Sequence, residues 1–322
     1  MAVTLNSSAL ITIYGGSGFI GRHVVRAIAK TGARMRVGVR RPELAGHLQP
    51  LGGVGQINAV QANVRYPDSL LAAADGADAV VNLVGILFPS GNQTFKAVQD
   101  EGARHVAEAA RKAGVLAFVH VSAIGANPES PSVYAHTKAL GEKAVQEVFP
   151  RAVILRPSIV FGPEDDFFNR FASLARIAPA LPLIGGGKTR FQPVFVGDVA
   201  RAAAKVLGDA TTAGKIYELG GPEIMTLKEI VELTLKEVRR RRLLVPIPFG
   251  LARIKGAVLG LLPRPLLTLD QVRMLESDSI VSEGALTVRD LGIMPEAPAA
   301  IIPSYLWRFR KHGEFEPAPT GS

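Results

Sequence analysis

Ala9-Leu10-Ile11-Thr12-Ile13-Tyr14-Gly15-Gly16-Ser17-Gly18-Phe19-Ile20-Gly21 is the stretch on which the reading of the fold turns. Its first six residues form an apolar, β-branched run, and residues 22–30 repeat apolar side chains at helical spacing. Strand, glycine turn and helix therefore follow in the order that a phosphate-cradling turn requires. Gly15 permits the tight turn, Gly18 lets a pyrophosphate approach the backbone, and Gly21 lets the helix pack closely on the strand. The free N–H groups around Ser17, Gly18, Phe19 and Ile20 then meet the phosphates of a dinucleotide. The alternative is a purely structural turn.

An acidic residue about 20 positions further on would hold a ribose 2′-hydroxyl. The second strand ends instead in Arg36-Val37-Gly38-Val39-Arg40-Arg41-Pro42. Guanidinium groups of Arg40 and Arg41 can fork onto a 2′-phosphate, which a carboxylate would oppose, so the expected cofactor is NADP(H), with NADPH as its reduced form. A solvated turn is the other reading of this pair.

Apolar strand-like runs recur at 10–14, 34–39, 57–61, 78–83, 116–121 and 151–156, with helical patterns between most of them. This alternation predicts an α/β fold, a Rossmann doubly wound parallel sheet, with a small mixed C-terminal lobe. Residues 1–160 are expected to form the NADP-binding core, and 161–322 to complete it and build the lobe. Asp78-Ala79-Val80-Val81-Asn82-Leu83-Val84-Gly85 ends in polar and glycine residues, as a strand does where it lines a ligand crevice. Leu83, Val84 and Gly85 are therefore cofactor candidates. So are Asn63 and Val64 one strand earlier, against ordinary strand-to-helix turn chemistry. After Arg156-Pro157 the alternation gives way to Pro- and Gly-rich stretches, with a helix expected at 199–207, a strand at 215–219 and a helix at 226–239.

The chain has 322 residues, 48% hydrophobic and 20% charged, which is enough for a large core and excludes a disordered chain. It has no cysteine, which excludes a disulfide framework, a thiolate zinc site and a cysteine nucleophile. A net charge of +9 points to anionic partners without choosing among nucleotides, lipid surfaces and acidic proteins. No secretory leader is expected from the first residues, and no apolar run reaches the roughly 18 residues of a membrane-spanning helix. Nucleic acid is not an expected partner, because only 6% of residues are aromatic and no nucleic-acid module is recognisable.

Ser122 closes the strand Phe118-Val119-His120-Val121, and Tyr134 opens a helix four residues before Lys138. That spacing puts phenol and ammonium on one helical face. The lysine's charge is expected to lower the phenol's pKa, so that Tyr134 can pass a proton while Ser122 holds the reacting oxygen and Lys138 bonds a ribose. Glu164, Asp165 and Asp166 read as a solvated acidic loop rather than a metal site, since no histidine accompanies them. His23, His105, His120 and His136 lack ligand spacing and read as structural. Lys188 and Arg190, after Gly185-Gly186-Gly187, either meet an anionic group or lie in a solvent-exposed turn.

Gly15-x-x-Gly18-x-x-Gly21, Asn82-x-x-Gly85, Ser122, Tyr134-x-x-x-Lys138 and Arg156-Pro157-Ser158-x-x-Phe161-Gly162 together resemble the extended and atypical short-chain dehydrogenase/reductases, over roughly residues 9–240. That resemblance implies a nicotinamide cofactor, a catalytic set on Ser122, Tyr134 and Lys138, and Pro157, Ser158 and Ile159 beside the nicotinamide. A narrower likeness lies in Lys138-Ala139-Leu140-Gly141-Glu142-Lys143, in Phe161-Gly162-Pro163-Glu164-Asp165-Asp166-Phe167-Phe168-Asn169 and in Gln192-Pro193-Val194-Phe195-Val196-Gly197-Asp198-Val199. These look like the nucleotide-binding accessory subunits of respiratory complex I and their bacterial relatives. The likeness implies tightly held NADPH with little turnover, and partners among the subunits of a membrane-associated NADH:quinone oxidoreductase. It also implies a peripheral place on the cytoplasmic face of the inner membrane, or on the matrix side in an organelle. The other reading is an active NADP-dependent reductase or epimerase on a quinone-pathway or lipid-like substrate.

From 239 to 265 the chain carries Arg239-Arg240-Arg241-Arg242, Arg253, Lys255 and Arg264 among aliphatic residues, with no acidic residue. Such a stretch either meets an anionic lipid surface or an apolar partner, or caps its own lobe as core. The Pro-rich end from Glu316 onward reads as a loose tail.

Overall fold

The computed structural model describes residues 3–260, 262 and 265–313; the expected tail from Glu316 lies outside them. The strands are β1 (Leu10–Tyr14), β2 (Arg34–Val39), β3 (Ile57–Gln61), β4 (Ala79–Asn82), β5 (Ala117–Val121), β6 (Val153–Pro157) and β7 (Val160–Phe161). They continue with β8 (Ala180–Ile184), β9 (Arg190–Phe191), β10 (Val194–Phe195), β11 (Ile216–Leu219), β12 (Met225–Thr226), β13 (Leu243–Ile247) and β14 (Leu286–Thr287). The principal helices are α1 (Phe19–Ala29), α2 (Pro67–Ala74), α3 (Glu101–Lys112), α4 (Val133–Val148), α5 (Phe168–Ile177), α6 (Val196–Leu207), α7 (Leu227–Glu237), α8 (Phe249–Leu259) and α9 (Leu269–Met274).

The chain divides into two units. The first comprises Met1–Pro157, Val196–Leu219 and Val281–Met294. Its eight-stranded sheet runs in the order β14-β11-β6-β5-β4-β1-β2-β3, and every pairing is parallel. β1 thus has β2 on one side and β4 on the other, the reversal of strand order at which doubly wound sheets bind ligands. α1 packs on α6, while α3 packs between α2 and α4. Small side chains allow this close layering: Ala103, Ala107 and Ala110 of α3 and Ala73 and Ala74 of α2 are buried with Val80 and Phe118 in one cluster. The sheet's β11 and β14, and helix α6, come from beyond residue 160.

The second unit comprises Ser158–Phe195, Gly220–Ile280 and Pro295–Ser322. Phe161, Phe168, Phe191, Leu227, Ile230, Val231, Tyr305 and Leu306 form its core. β13 pairs with β8 in parallel, and α7 starts on a capping box between Thr226 and Glu229. Asp165 corrects the expectation of a solvated acidic loop. It is buried, accepts the N–H groups of Gly162, Phe167 and Asn169 at 3.1, 2.9 and 3.0 Å, and takes the Tyr305 hydroxyl at 2.8 Å. Burial pushes its carboxyl up, against the pull of those donors. Asp165 ties its own loop to the short helix Pro303–Leu306, a contact 140 residues apart in sequence.

Candidate functional site

The glycine turn leaves β1 through Gly15, whose φ of +79° is a left-handed conformation that favours glycine. Its N–H donates to the Gly38 carbonyl at 3.1 Å, which ties the turn to β2. A Cβ on Gly21 would lie 2.3 Å from the Gly15 carbonyl oxygen, so only glycine lets α1 start this close to the turn. Gly18 is the N-cap of α1, with no side-chain cap and no acidic residue in the first turn. The helix therefore begins without the group that ordinarily neutralises its N-terminus, the condition a bound phosphate satisfies. Ser17, Phe19 and Ile20 are half-buried around this start.

Arg40 and Arg41 are exposed just past β2. The Arg40 guanidinium donates to Gln93 Oε1, so that group is already oriented by the loop that follows β4. Asn63 gives its Oδ1 to the Arg65 N–H at 3.1 Å, so its acceptor is spent on the strand-to-helix turn. Val64 is part of the core, and its carbonyl meets His105 Nδ1 at 2.9 Å. Leu83 and Val84 are half-buried, and the Leu83 N–H extends the β1 pairing by donating to the Tyr14 carbonyl at 3.0 Å.

Ser122, Tyr134 and Lys138 all belong to the first unit, with Gly85 among them. A Cβ on Gly85 would stand 3.4 Å from Lys138 Nζ, which places the loop after β4 against the lysine. Lys138 is buried and donates to the Val121 carbonyl at 3.2 Å, leaving two further N–H groups on its ammonium. Ser122 is also buried, and its Oγ has no hydrogen-bond partner among the described residues. A buried hydroxyl and ammonium left with bonding capacity fit a polar ligand group such as a ribose or carboxamide. The Ser122 N–H donates to Leu155 and the Ile124 N–H to Pro157, which sets Pro157 alongside the serine's loop. Ser158 and Ile159 fall in the second unit, where Ser158 Oγ donates to the Ser279 carbonyl at 2.6 Å and the Ile159 carbonyl accepts from Val194.

The expected lowering of the Tyr134 phenol by Lys138 is corrected. Burial raises it to about 12. Desolvation is its cause, and Lys138 is itself desolvated and lowered to about 8, with Glu142 pulling it back up. The phenol ring packs edge-on against Phe95 at a centroid distance of 5.9 Å.

The partners of two groups around the site escaped the sequence reading. Gln99 lies in a π-helical turn, Lys96–Asp100, that runs into α3. Its Nε2 donates to the Ile86 carbonyl at 2.8 Å and its Oε1 accepts from Thr137 Oγ1 at 2.9 Å, so one buried amide joins the loop after β4 to the residue preceding Lys138. The signal was a polar residue at an apolar helical position. The second group is Asn82 and His120, paired across β4 and β5 at 3.1 Å. Asn82 Oδ1 takes the Val84 N–H, so its Nδ2 donates to His120 Nδ1, and hydrogen-bond accounting assigns the histidine's proton to Nε2. Burial, then the charge of Lys138, lowers His120 to about 3. The acidic loop shows no metal constellation among the described residues, and Arg190 is paired with Asp278 at 2.8 Å rather than left for an anionic ligand.

Across 319 residues the chain is 34% identical to the mitochondrial NADH dehydrogenase [ubiquinone] 1 alpha subcomplex subunit 9 of Arabidopsis thaliana, covering 95% of this chain and 79% of that protein. It is 35% identical over 207 residues to a ceramide reductase of Caulobacter vibrioides, covering 64% and 62% of the two chains. In structure it resembles DesIV, a dTDP-glucose 4,6-dehydratase of Streptomyces venezuelae solved with NAD, with a TM-score of 0.71 at 20% identity over 93% of this chain and 96% of that one. A model of the NAD dependent epimerase/dehydratase family matches residues 11–220, the span that contains the glycine turn, Ser122, Tyr134 and Lys138. The chain belongs to the NAD dependent epimerase/dehydratase family.

Proposed function

We propose that this chain holds NADP(H) as a resident ligand and serves as an accessory subunit of a membrane-associated NADH:quinone oxidoreductase. The observation that carries this reading is the unspent bonding capacity of the buried pair Ser122 and Lys138: the Ser122 Oγ has no hydrogen-bond partner among the described residues, and the Lys138 ammonium has two N–H groups beyond the one given to Val121. Burial holds the Tyr134 phenol in its protonated form, so it can serve as a hydrogen-bond donor to a ribose. Ser122, Tyr134 and Lys138 then grip the nicotinamide half, Pro157, Ser158 and Ile159 border it, and Gly15 to Ile20 hold the pyrophosphate. Asn63, Leu83, Val84 and Gly85 border the adenosine and ribose, and Arg40 and Arg41 take the 2′-phosphate. When bound, the nicotinamide supplies hydride chemistry; the residues supply position. Similarity to a complex I subunit along nearly the whole chain supports the assembly. Peripheral membrane association, on the cytoplasmic or matrix side, and contact with anionic lipid follow from the same reading.

Purification from native membranes in mild detergent tests the proposal. Co-migration with the oxidoreductase, with NADPH released on denaturation, is the expected result. A free monomer or dimer that oxidises NADPH with a carbonyl substrate would overturn it and favour the second reading, an active reductase on a lipid-like substrate. That second reading draws its support from the ceramide reductase similarity and the intact Ser122, Tyr134 and Lys138. For the nucleotide preference, Arg40→Ala with Arg41→Ala is expected to weaken NADPH binding about tenfold or more while leaving NADH binding unchanged.

A further inference from the structure

We propose that the outward face of α8 forms a docking surface for an anionic lipid bilayer. This deepens the membrane-peripheral reading above by naming the element that makes the contact. α8 is built the wrong way round for a helix facing water. Its buried side is Ala252 and Gly256, and a Cβ on Gly256 would lie 3.0 Å from the backbone of Thr268 and Leu269. Its large aliphatic residues point outward instead: Leu251, Ile254 and Val258 are 47%, 65% and 63% exposed. At three- and four-residue spacing they make one continuous stripe. Leu262 and Leu266, beyond the helix end, are also exposed.

Charge and composition choose the occupant. Lys255 is exposed on the flank of the stripe, where its stem can lie along lipid while the ammonium reaches headgroups. The acid of Glu276 is neutralised by Arg253 through two hydrogen bonds of 2.8 and 2.7 Å. No acidic residue occurs between 239 and 265, and exposed Arg241 adds to the positive field. Protein interfaces concentrate Trp and Tyr in their energetic centres, and neither occurs in this stretch. Aliphatic side chains flanked by cations are the composition of a helix lying in a lipid interface.

The test is sedimentation of the full chain with vesicles of phosphatidylcholine alone and of phosphatidylcholine with phosphatidylglycerol, with bound NADPH measured on the same samples. Binding is expected to require phosphatidylglycerol and to weaken with salt. Leu251→Ser, Ile254→Ser and Val258→Ser combined should lower partitioning about tenfold or more while leaving NADPH retention unchanged, and Lys255→Glu should lower it by a smaller factor. Circular dichroism of both variants establishes that the fold persists. Failure to bind either vesicle, equal binding by the triple variant, or indifference to lipid charge would overturn the proposal. A dimer in solution that the triple variant dissociates would overturn it in favour of a second copy. Loss of NADPH with vesicle binding intact would count against the nucleotide-holding role alone.

Discussion

Lys138 destabilises the fold that buries it. An unfolded lysine titrates near 10.5, and burial lowers Lys138 to about 8, so between these values the unfolded chain binds more protons and stability rises with pH. Its contribution is full above 10.5 and is lost as pH falls through 8, which at neutral pH amounts to about 3 kcal/mol against folding. Lys138→Met is therefore expected to raise the urea stability of the nucleotide-free protein at pH 7 by up to about 3 kcal/mol and to flatten the rise between pH 8 and 10.5. The same variant should lose NADPH, and a stability no higher than wild type would refute this account of the lysine. His120 works in the acid range. Lowered from 6.5 to about 3, it contributes fully above 6.5, and stability falls by about 1.4 kcal/mol for each pH unit descended toward the lower value. His120→Asn keeps an acceptor for Asn82 and removes the titration, so urea midpoints between pH 4 and 7 should lose that slope; an unchanged slope would assign it to other groups.

At the scale of elements, the approach of α4 to α3 is set by one missing methyl group. A Cβ on Gly141 would lie 2.1 Å from the Gln99 carbonyl oxygen, on the π-turn that joins the β4 loop to Thr137. Helix propensity alone favours Gly141→Ala by about 1 kcal/mol, whereas forcing two backbones apart in a packed layer costs about 1–3 kcal/mol or more. The variant is expected to lose about 1–2 kcal/mol in denaturant unfolding and to bind NADPH less tightly, since Lys138 sits one turn earlier; a stabilised variant would show that the layer yields. The same elements explain what could be read in advance. Strands β1 to β6, the glycine turn and the Tyr134/Lys138 face are local patterns, of period two or 3.6 with glycine punctuation, and fell where expected. The state of the phenol could not be read that way, because its desolvation depends on neighbours distant in sequence, Phe95 among them, that the spacing does not show. Asp165 and Arg190 looked like solvent or ligand groups because their partners, Tyr305 and Asp278, stand 140 and 88 residues away. The parallel pairing of β13 with β8 is equally non-local.

Over the whole molecule, the two units have separate cores, one of alanine and valine between parallel strands and helices, the other rich in phenylalanine. The proposed nucleotide contacts lie almost wholly in the first, on the loops that leave β1, β2, β3, β4 and β5, on α4 and at the end of β6, with Ser158 and Ile159 the only members drawn from the second. A ligand that binds only the folded state stabilises it by about 2.7 kcal/mol at a hundred times its dissociation constant, and the amides it protects are those whose opening releases it. Hydrogen exchange with and without saturating NADPH should therefore slow the amides of the glycine turn, of residues 83–85 and of residues 122–124, together with the strands that carry them. If Ser158 and Ile159 border the nicotinamide, slowing should continue past Pro157 to Ile159, whose neighbour Val194 bonds its carbonyl. α8 should exchange at the same rate in both conditions, because its outward stripe is assigned to lipid. Slowing that stops at Pro157 would strike Ser158 and Ile159 from the site, and no slowing in the glycine turn would remove the dinucleotide from the first unit altogether.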